Sequence, residues 1–408
     1  MFYYFIDSER NPDNDPLVLS LTGGPGCSGF SSLVFEFGPI TFDSSTFGQS
    51  LPSLILNPYS WTKMANIIFL DWPIGAGFSY ATTPEGYHTS DSASPKDIYV
   101  FLRKWLLSHP RFIKNHLYIQ GESYGAKIVP MLSWEISKAN EGGILPQMSL
   151  HGYFTGNPGT NPHAAQNERL SYAHNLGLIS DEYLKQAERS CNGEYVDINE
   201  ANIQCQSAVR VIDECLDGID FYHILDPACP KTNLLKRVQT VSKEYSVNIV
   251  LPSSSVKLPC RDMYRTISED WANNPIVRNA LGVREGTKEK WIRCNESVAI
   301  DMDVVSSAEY HLLLAKEGFR GLVYSGDHDM MVPYTSTLKW IYSLNLTLDD
   351  NWRSWRSNGE VAGFTIRYID NGSYLTFATI KGSGHTPPEY SPKECFTMIS
   401  RWLSHDPL

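Results

Sequence analysis

Residues 121–125 of the chain, Gly-Glu-Ser-Tyr-Gly, place Ser123 between two glycines where an apolar run changes into a helix-like stretch. A G-x-S-x-G pattern in this position is typical of a nucleophile elbow, a strained turn that exposes the serine Oγ above an α/β-hydrolase sheet. The pattern alone also fits a tight turn whose serine caps the helix. Ser123 is therefore a candidate nucleophile, provided that an acid and a histidine follow it in the order that this chemistry requires.

Two later segments supply the acid and the histidine. Asp327 and Asp329 lie in DHDMMVP, directly after the strand-like run GLVYSG, and His385 lies on the loop KGSGHTPPEY after the last such run. The order serine, acid, histidine is that of α/β-hydrolases, whose acid and histidine follow late strands. The acid of this fold commonly comes three residues after the glycine that ends its strand, which favours Asp329 and leaves Asp327 to cap the turn. We predict a catalytic triad of Ser123, Asp329 and His385.

The glycine-rich segment LSLTGGPGCSG, residues 19–29, could form an oxyanion hole. It follows a strand-like run, and its glycines would let backbone N–H groups approach the substrate closely. An α/β-hydrolase takes one donor from this loop and one from the residue after the nucleophile, so we expect the N–H groups of Gly24 and Tyr124. With these donors and the triad, the sequence predicts acyl-transfer chemistry through a serine acyl-enzyme.

The elements that must position these residues alternate between strands and helices. Near-continuous apolar runs, typical of buried strands in a parallel sheet, occupy residues 16–22, 66–72, 116–120, 149–156, 321–326 and 374–382. A helix is predicted from Ser94, as its N-cap, through SPKDIYVFLRKWLLS, and a second one over residues 392–404. This alternation predicts the α/β class, and the placement of the site residues makes it an α/β-hydrolase fold.

The alternation stops between about residues 160 and 300, where the chain is helical and rich in cysteine. SDEYLKQAERSC and NIQCQSAVRVIDECL are the clearest helices there. We predict a single α/β-hydrolase domain over residues 1–408, with a core of about 1–159 and 301–408 and a largely helical, disulfide-braced cap insertion of about 160–300. The serine-rich piece at residues 245–259 is expected to be an exposed loop or a processing site.

The composition places the chain among folded globular proteins. It has 408 residues, 42% of them hydrophobic, and a formal net charge of −11. An acidic chain lacks the basic patches that bind nucleic acid or an anionic membrane surface, so we expect neither as a partner. No apolar run reaches the roughly 20 residues of a membrane-spanning helix. The cysteines form no C-x-x-C pair, and we expect neither a metal nor a cofactor.

Cysteines and sequons favour an oxidising, secretory compartment. The eight cysteines are Cys27, Cys191, Cys205, Cys215, Cys229, Cys260, Cys294 and Cys395. The N-x-[ST] sequons, candidates for glycosylation, are Asn295, Asn345 and Asn371. The first residues, MFYYFIDSER, have no basic n-region, apolar h-region or cleavage site, so we expect no signal peptide in this chain. They are typical of a strand within a β-hairpin, which suggests a truncated N-terminus.

The motifs GGPGCSG, FLDWPIGAGFSY, GESYGAKIVP, SGDHDMMVP and GSGHTPPEY resemble the serine carboxypeptidase family along almost the whole chain. WTKMANIIFLDWP, SYAHNLGLISDE and WIRCN look most like the plant serine carboxypeptidase-like branch. That branch includes acyltransferases that take acyl groups from glucose esters. The resemblance implies the same triad and the same oxyanion donors, and it implies a vacuolar or secreted location.

The resemblance also implies part of the disulfide pattern. In similar proteins the cysteine of the glycine-rich loop pairs with one before the acid loop, which implies Cys27–Cys294. Cys191–Cys205 is implied in the same way. The pairing among Cys215, Cys229 and Cys260 stays open. Cys395 is expected to be free.

Substrate-binding residues carry over from the family with one departure. The family's peptidases bind a C-terminal carboxylate through an asparagine and two glutamates, and the glutamates match Glu36 and Glu122. At the asparagine position, beside Gly23, this chain has Thr22, which offers no planar amide. Losing a hydrogen bond to a charged group weakens binding by about 1.5–3 kcal/mol, so this residue argues against peptide capture. Arg293 matches the position that some plant acyltransferases use for a carboxylate-bearing acceptor such as malate.

The sequence leaves more than one function open. The favoured one is an acyltransferase that moves an acyl group from a glucose ester to a small hydroxyl acceptor. The alternative is a genuine carboxypeptidase that releases C-terminal residues from peptides at acidic pH, because two adjacent carboxyl groups must share protons to bind a carboxylate. A hydroxynitrile lyase is a rarer activity of the branch. A truncated, inactive member of the family is the further alternative.

Overall fold

The computed structural model describes residues 1–49, 51–229 and 260–408. The segment at 245–259, expected to be an exposed loop or a processing site, therefore lies outside the described residues. The strands are β1 Tyr3–Ile6, β2 Leu17–Leu21, β3 Ile40–Phe42, β4 Leu54–Leu56, β5 Asn66–Leu70, β6 Thr89–Ser90, β7 Leu117–Glu122, β8 Leu150–Gly156, β9 Ile300–Asp301, β10 Arg320–Gly326, β11 Thr347–Ser357, β12 Glu360–Asp370 and β13 Ser373–Ile380.

Nine of these strands form one mixed sheet in the order β1-β5-β2-β7-β8-β10-β13-β12-β11. The pairs from β5 to β13 are all parallel. These central strands are the six apolar runs of the sequence, so the predicted parallel core is confirmed. Antiparallel strands close both sides: β1 pairs with β5, and the β11–β12 hairpin extends the sheet beyond β13.

Side chains of the central strands alternate between two hydrophobic layers, as strand geometry requires. Val18 and Phe69 face a layer that includes Trp402, whereas Leu19 and Ile68 face the opposite one. Because both faces are covered, the strands are apolar at nearly every position. The sheet is therefore a rigid frame, and the carboxyl ends of its parallel strands lie along one edge.

Helices cover both faces of the sheet. Those in the described ranges are α1 Ser94–Ser108, α2 Tyr124–Glu141, α3 Pro162–Asn175, α4 Asp181–Cys191, α5 Ile203–Cys215, α6 Arg261–Arg265, α7 Ile267–Asn273, α8 Pro275–Ala280, α9 Ala308–Lys316, α10 Tyr334–Ser343, α11 Pro387–Tyr390 and α12 Pro392–Leu403. The prediction that Ser94 caps α1 is wrong. Ala93 is the N-cap, and Ser94 is the first helical residue, whose Oγ donates to the Ser90 carbonyl at 2.6 Å.

The segment between β8 and β10 is largely helical where the structure describes it, and it packs in two ways. Helices α3, α4 and α5 share a small core of their own that includes Tyr172 and Ile212 and reaches Met330, beyond β10. Helix α7 instead adds Ile267 and Ala272 to the main core below the sheet. The boundaries of the cap at about 160 and 300 stay a prediction, but part of this insertion is inseparable from the central core.

Three disulfides lie in the described ranges: Cys27–Cys294, Cys191–Cys205 and Cys229–Cys260. The first two are the pairs that the family resemblance implies, and the third resolves the open pairing. Cys215, a disulfide candidate, is wrong in that role because it is an exposed free thiol, and Cys395 is a buried one. Among the helices of the described ranges, none is long and apolar enough to span a bilayer.

The sequons differ in accessibility. Asn345 and Asn371 are exposed and adopt a left-handed backbone conformation. Asn295 is partly buried, and its Nδ2 donates to the Gly75 carbonyl at 3.0 Å. The first two side chains are therefore the better placed to carry a glycan in the folded protein.

Candidate active site

Ser123 occupies the sharp corner between β7 and α2. Its φ of 55° is unfavourable for a residue with a side chain, and such strain persists only where the surroundings hold the backbone. Here the Ser123 N–H donates to the Gly156 carbonyl and the Gly159 N–H donates to the Ser123 carbonyl, both at 2.9 Å. The end of β8 and the loop that follows it thus hold the backbone of this turn in place. The turn directs the Ser123 side chain toward the carboxyl edge of the sheet.

The three predicted triad residues lie in direct contact. His385 Nε2 lies 2.8 Å from Ser123 Oγ, and His385 Nδ1 lies 2.7 Å from Asp329 Oδ2. A carboxylate only accepts, so Nδ1 carries the proton and Nε2 accepts from the serine hydroxyl. All three come from loops at the carboxyl ends of β7, β10 and β13. This arrangement is able to remove the serine proton and to stabilise the imidazolium that results.

Asp329 is fully buried, and four donors surround it. Its Oδ1 accepts from the N–H groups of Met331 at 2.7 Å and Val332 at 3.1 Å. Its Oδ2 accepts from His385 and from the Asn157 side-chain amide. These four donors fix the orientation of the carboxyl group. Sequence analysis missed Asn157. This asparagine directly follows β8, the neighbour of β7 in the sheet, and that position is a signal that could have been used.

Asp327 lies outside the triad. Its Oδ1 accepts from the Gly382 N–H at 2.6 Å and contacts His328 Nδ1 at 2.6 Å. These bonds join the acid loop to the loop that carries His385. Asp327 is therefore structural, as predicted, but it links two loops rather than capping its own turn, where Asp329 Oδ1 accepts the backbone N–H groups.

The glycine-rich loop passes close to the nucleophile. A side chain at Gly23 would place its Cβ 2.6 Å from Ser123 Cβ and 3.1 Å from Ser123 Oγ, so only glycine fits there. Gly24 follows with a φ of 118°. Tyr124 is the first residue of α2, and its N–H has no acceptor within the helix. The two predicted oxyanion donors thus lie on the two segments that meet at Ser123.

Two buried carboxyl groups lie beside the triad. Burial, with the charge of Glu389, raises the pKa of Glu36 to about 7. Burial and the nearby Glu36 raise the pKa of Glu122 well above its usual range. Glu122 Oε1 accepts from the Tyr324 hydroxyl, whereas Oε2 of both glutamates has no partner among the described residues. At acidic pH both groups are neutral and have hydrogen-bonding capacity to offer a ligand.

Thr22 is buried, and its hydroxyl is already paired. Its Oγ1 lies 3.0 Å from Ser32 Oγ, on the helical turn Ser32–Glu36 that carries Glu36. Either hydroxyl can be the donor in this bond, and if Ser32 donates, the Thr22 O–H stays available to a ligand. That Thr22 is a poor substitute for a planar amide therefore stays a prediction.

Arginines face these carboxyl groups from the insertion. Arg265 Nη2 contacts Glu389 Oε2 at 2.5 Å, and this charge holds the pKa of the buried Glu389 below its usual value despite burial. Arg293 lies close enough to influence the pKa values of both Glu36 and Tyr222. Its N–H is 3.5 Å from Glu269 Oε1, but none of the described residues accepts a hydrogen bond from its partly buried guanidinium. The charges of Asp262 and Glu389 act on this guanidinium, but no carboxylate of the described ranges forms an ion pair with it.

Tyr222 covers the triad from the insertion and was missed by sequence analysis. Its ring packs edge-on against the His385 ring with centroids 5.3 Å apart. Its carbonyl accepts from the His385 N–H at 2.7 Å. No sequence signal distinguishes this tyrosine among the chain's 22 tyrosines, because its role depends on where the insertion folds back. In the described ranges, no cluster of three or more His, Cys, Asp or Glu side chains could hold a metal ion.

Comparisons with known proteins agree with this geometry. The family profile described as Serine carboxypeptidase matches residues 1–405. Serine carboxypeptidase-like 13 from Arabidopsis thaliana is 44% identical over 410 residues, covering 100% of this chain and 87% of that protein. Serine carboxypeptidase-like 17 from the same plant is 43% identical over 408 residues, covering 100% and 87%.

A solved structure shows the shared fold. Kex1(delta)p, a prohormone-processing carboxypeptidase from Saccharomyces cerevisiae, superposes with a TM-score of 0.75 and 18% identity over 99% of this chain and 86% of that chain. The predicted α/β-hydrolase fold is confirmed. From the match of residues 1–405 and the identity to its plant relatives, this chain belongs to the serine carboxypeptidase family.

Proposed function

We propose that this protein is an acyltransferase that moves an acyl group from a glucose ester to a small hydroxyl acceptor through an acyl-enzyme at Ser123. The observation that carries the proposal is the Arg293 guanidinium, a partly buried cation with no hydrogen-bond acceptor among the described residues. Such a group is stable beside a catalytic centre when an anionic ligand pairs with it. A carboxylate-bearing acceptor satisfies this requirement through bidentate hydrogen bonds.

The first half of the reaction acylates the serine. His385 Nε2 removes the proton from Ser123 Oγ, which attacks the ester carbonyl, while Asp329 stabilises the imidazolium. The N–H groups of Gly24 and Tyr124 stabilise the oxyanion of the tetrahedral intermediate. The intermediate collapses when the imidazolium gives its proton to the leaving glucose oxygen.

The second half transfers the acyl group. His385 removes the proton from the acceptor hydroxyl, whose oxygen attacks the acyl-serine carbonyl. The tetrahedral intermediate collapses when the bond between Ser123 Oγ and the acyl carbon breaks and the imidazolium returns the proton to Oγ. Tyr222 packs over His385, and Arg293 lies within electrostatic reach of Tyr222. We propose that the acceptor binds between these two residues, with its carboxylate on Arg293 and its hydroxyl toward His385. An acceptor held there reacts faster than water because it is already oriented.

Carboxypeptidase activity is the second candidate, and a specific observation favours it. Glu36 and Glu122 each keep one oxygen without a partner in the described ranges, and raised pKa values keep both groups protonated at acidic pH. A protonated pair could donate hydrogen bonds to a peptide's C-terminal carboxylate. Against it stands Thr22, which lacks the planar amide of the asparagine that the family's peptidases use.

Location and modification follow from the surface and the disulfides. We propose that the protein works in the vacuole or outside the cell, where disulfides such as Cys191–Cys205 persist. Exposed Asn345 and Asn371 are the proposed glycosylation sites. The expected substrates are small molecules, with no nucleic acid or membrane partner.

The test is acyl transfer from a 1-O-acyl glucose to a small hydroxydicarboxylic acid such as malate. We expect ester product with the wild-type protein and none with Ser123→Ala. Arg293→Ala should raise the KM for the acceptor at least tenfold, which is about 1.4 kcal/mol of lost binding, and leave the KM for the donor unchanged. Arg284→Ala is the matched control, since Arg284 is an exposed arginine of the same segment bonded to the Tyr80 hydroxyl.

Two outcomes would contradict the proposal. One is hydrolysis of the glucose ester at the same rate with and without acceptor, which would identify a hydrolase. The other is an equal change in acceptor KM for Arg293→Ala and Arg284→Ala, because Arg293 would then have no specific role in acceptor binding.

A further inference from the structure

A buried ion pair lies below the first turn of α2, and the proposed reaction does not use it. Lys127 Nζ contacts Asp91 Oδ2 at 2.6 Å, and their side chains are 1% and 0% exposed. Removing a charge from water costs several kcal/mol per ion, and the attraction between partners offsets this only when the geometry is good and further hydrogen bonds are made. An ion pair at this position therefore requires an explanation.

Asp91 connects three segments of the chain. The Tyr124 hydroxyl donates to Asp91 Oδ1 at 2.5 Å, and the Val304 N–H donates to Asp91 Oδ2 at 3.2 Å. The Asp91 N–H donates to the Asp301 carbonyl at 3.0 Å. Both carboxylate oxygens are thus occupied by the start of α2 and by residues 301–304, which follow Arg293 and Cys294 along the chain.

The residue tethered by Asp91 is the one proposed to donate to the oxyanion. Tyr124 follows the strained Ser123 directly, so its N–H belongs to the peptide unit that joins the two residues. Its ring is nearly parallel to the Trp72 ring, with an interplanar angle of 2° and centroids 5.9 Å apart. Stacking fixes the plane of the Tyr124 ring, and the bond to Asp91 fixes its far end. The side chain therefore has little freedom to rotate.

Charge and protonation determine which group donates in the hydrogen bond between Tyr124 and Asp91. Burial and the hydrogen bond to Asp91 raise the pKa of Tyr124 far above its usual range, so the phenol stays protonated and donates. Lys127, one turn further along α2, neutralises the carboxylate that accepts this bond. The donor and the cation come from the same helix, so the pair holds the first turn of α2 at two points.

We infer that Asp91, held by Lys127, is a positioning residue that orients the Tyr124 N–H toward the oxyanion through the Tyr124 hydroxyl. The inference rests on the proposed function only for the roles of Ser123 and the Tyr124 N–H. It does not depend on which acyl donor or acceptor the enzyme uses. A donor aimed in advance at the developing charge lowers the barrier without moving during the reaction.

The test is the rate at which a fluorophosphonate inactivates Ser123, because its phosphoryl oxygen occupies the oxyanion hole and no acyl donor is needed. Tyr124→Phe removes only the hydroxyl. We expect the maximal inactivation rate to fall roughly tenfold, with the half-saturating concentration within twofold of wild type. The matched control is Tyr153→Phe, since Tyr153 is equally buried and its hydroxyl bonds to His311 Nδ1 at 2.9 Å. We expect this control to react at the wild-type rate.

Wild-type inactivation of Tyr124→Phe, or an equal loss in Tyr153→Phe, would overturn the inference. Should Tyr124→Phe fail to fold, Asp91→Asn weakens the same hydrogen bond by removing the charge of its acceptor, and a wild-type rate in that variant would overturn it as well. Failure of the proposed function looks different. The wild-type protein would react with the fluorophosphonate but make no ester from a glucose ester.

Discussion

At the residue scale, we expect the reactivity of Ser123 to depend on how firmly Asp329 is held. The carboxylate is buried, and its donors include the Asn157 amide, whose Oδ1 in turn accepts from the Gly326 N–H at 3.1 Å. Asn157 therefore links the acid to the end of β10. Without that amide, Asp329 would lose a donor that fixes its orientation toward His385.

We predict that Asn157→Gly slows fluorophosphonate labelling of Ser123 roughly tenfold. Glycine is the suitable replacement because Asn157 has a φ of 40°, which alanine would adopt only with strain. Asn358→Gly is the control, since Asn358 has a φ of 49° in an exposed turn. Labelling at the same rate in both variants would mean that Asn157 does not support the triad.

Glu36 makes the stability of the folded protein depend on pH. Its pKa of about 7 in the folded protein lies above the usual value of 4.5, so the folded state binds the proton more tightly. Between pH 4.5 and 7 the unfolded chain has lost this proton and the folded chain has kept it. Stability therefore falls as pH rises through this window.

We predict that raising the pH from 5 to 7.5 lowers the free energy of unfolding by about 1–3 kcal/mol through this group. Glu36→Gln, which cannot ionise, should remove that part of the pH dependence. Urea unfolding at the two pH values, for wild type and variant, is the measurement. An identical pH dependence in both proteins would contradict a raised pKa for Glu36.

Much of the site could be predicted from sequence because its motifs are local. Ser123, Asp329 and His385 each lie in a short segment next to a recognisable strand end, and the order of the three is informative. Asn157 and Tyr222 are different, because their roles arise from contacts between segments far apart in the chain. Thr22 could be recognised as a departure from the family, but its pairing with Ser32 could not be predicted.

At the element scale, the Cys27–Cys294 disulfide joins the glycine-rich loop, residues 19–29, to the segment that carries Arg293. The backbones of these segments also pair, with the Ser28 N–H donating to the Arg293 carbonyl at 2.8 Å and the Asn295 N–H to the Gly26 carbonyl at 2.9 Å. The cross-linked cysteines are 267 residues apart. The glycine-rich loop, which we expect to bind the oxyanion, is thus held by a disulfide and by backbone hydrogen bonds to the segment that we expect to bind the acceptor.

We predict that Cys27→Ser/Cys294→Ser destabilises the protein more than Cys191→Ser/Cys205→Ser does. Loop entropy gives about 5–6 kcal/mol for the first pair and about 3 kcal/mol for the second, as upper estimates. Only the first double variant should also slow labelling of Ser123, because only that disulfide includes a cysteine of the glycine-rich loop. Denaturant unfolding and labelling rates test both statements. Equal effects of the two double variants on labelling would contradict them.

The longest strands that sequence analysis missed lie at the edge of the nine-stranded sheet. Strands β11 and β12 form a long hairpin with Asn358 and Gly359 at its turn, both at positive φ. An Asn-Gly pair between alternating residues is a strong hairpin signal, and it could have been used. The central strands were easier to predict because burial on both faces leaves an apolar run at each one.

At the scale of the whole molecule, the insertion and the sheet share their hydrophobic contacts. Phe30, which directly follows the glycine-rich loop, stacks on Trp271 of α7 with ring centroids 5.0 Å apart. Such shared packing explains why the sequence pattern could not define where the insertion ends and the core begins. The contacts between α7 and the core join residues that are more than 200 positions apart, and no local pattern contains that information.

The cysteine inventory gives a test of the whole fold. With three disulfides, an exposed Cys215 and a buried Cys395, the native protein should react with one equivalent of a thiol reagent. After unfolding without reduction it should react with two, because burial protects Cys395 only while the core is intact. Two fast equivalents in the native protein would contradict the packing around Cys395.

The most direct test of acyl transfer offers both kinds of substrate to one preparation that a fluorophosphonate labels at Ser123. An acyl glucose with malate, and separately an N-blocked dipeptide, are incubated near pH 5, with Ser123→Ala as the control. We expect a Ser123-dependent ester from the first mixture and no release of the C-terminal residue from the second. Rapid Ser123-dependent release from the dipeptide, with no ester formed, would contradict acyl transfer and identify a carboxypeptidase.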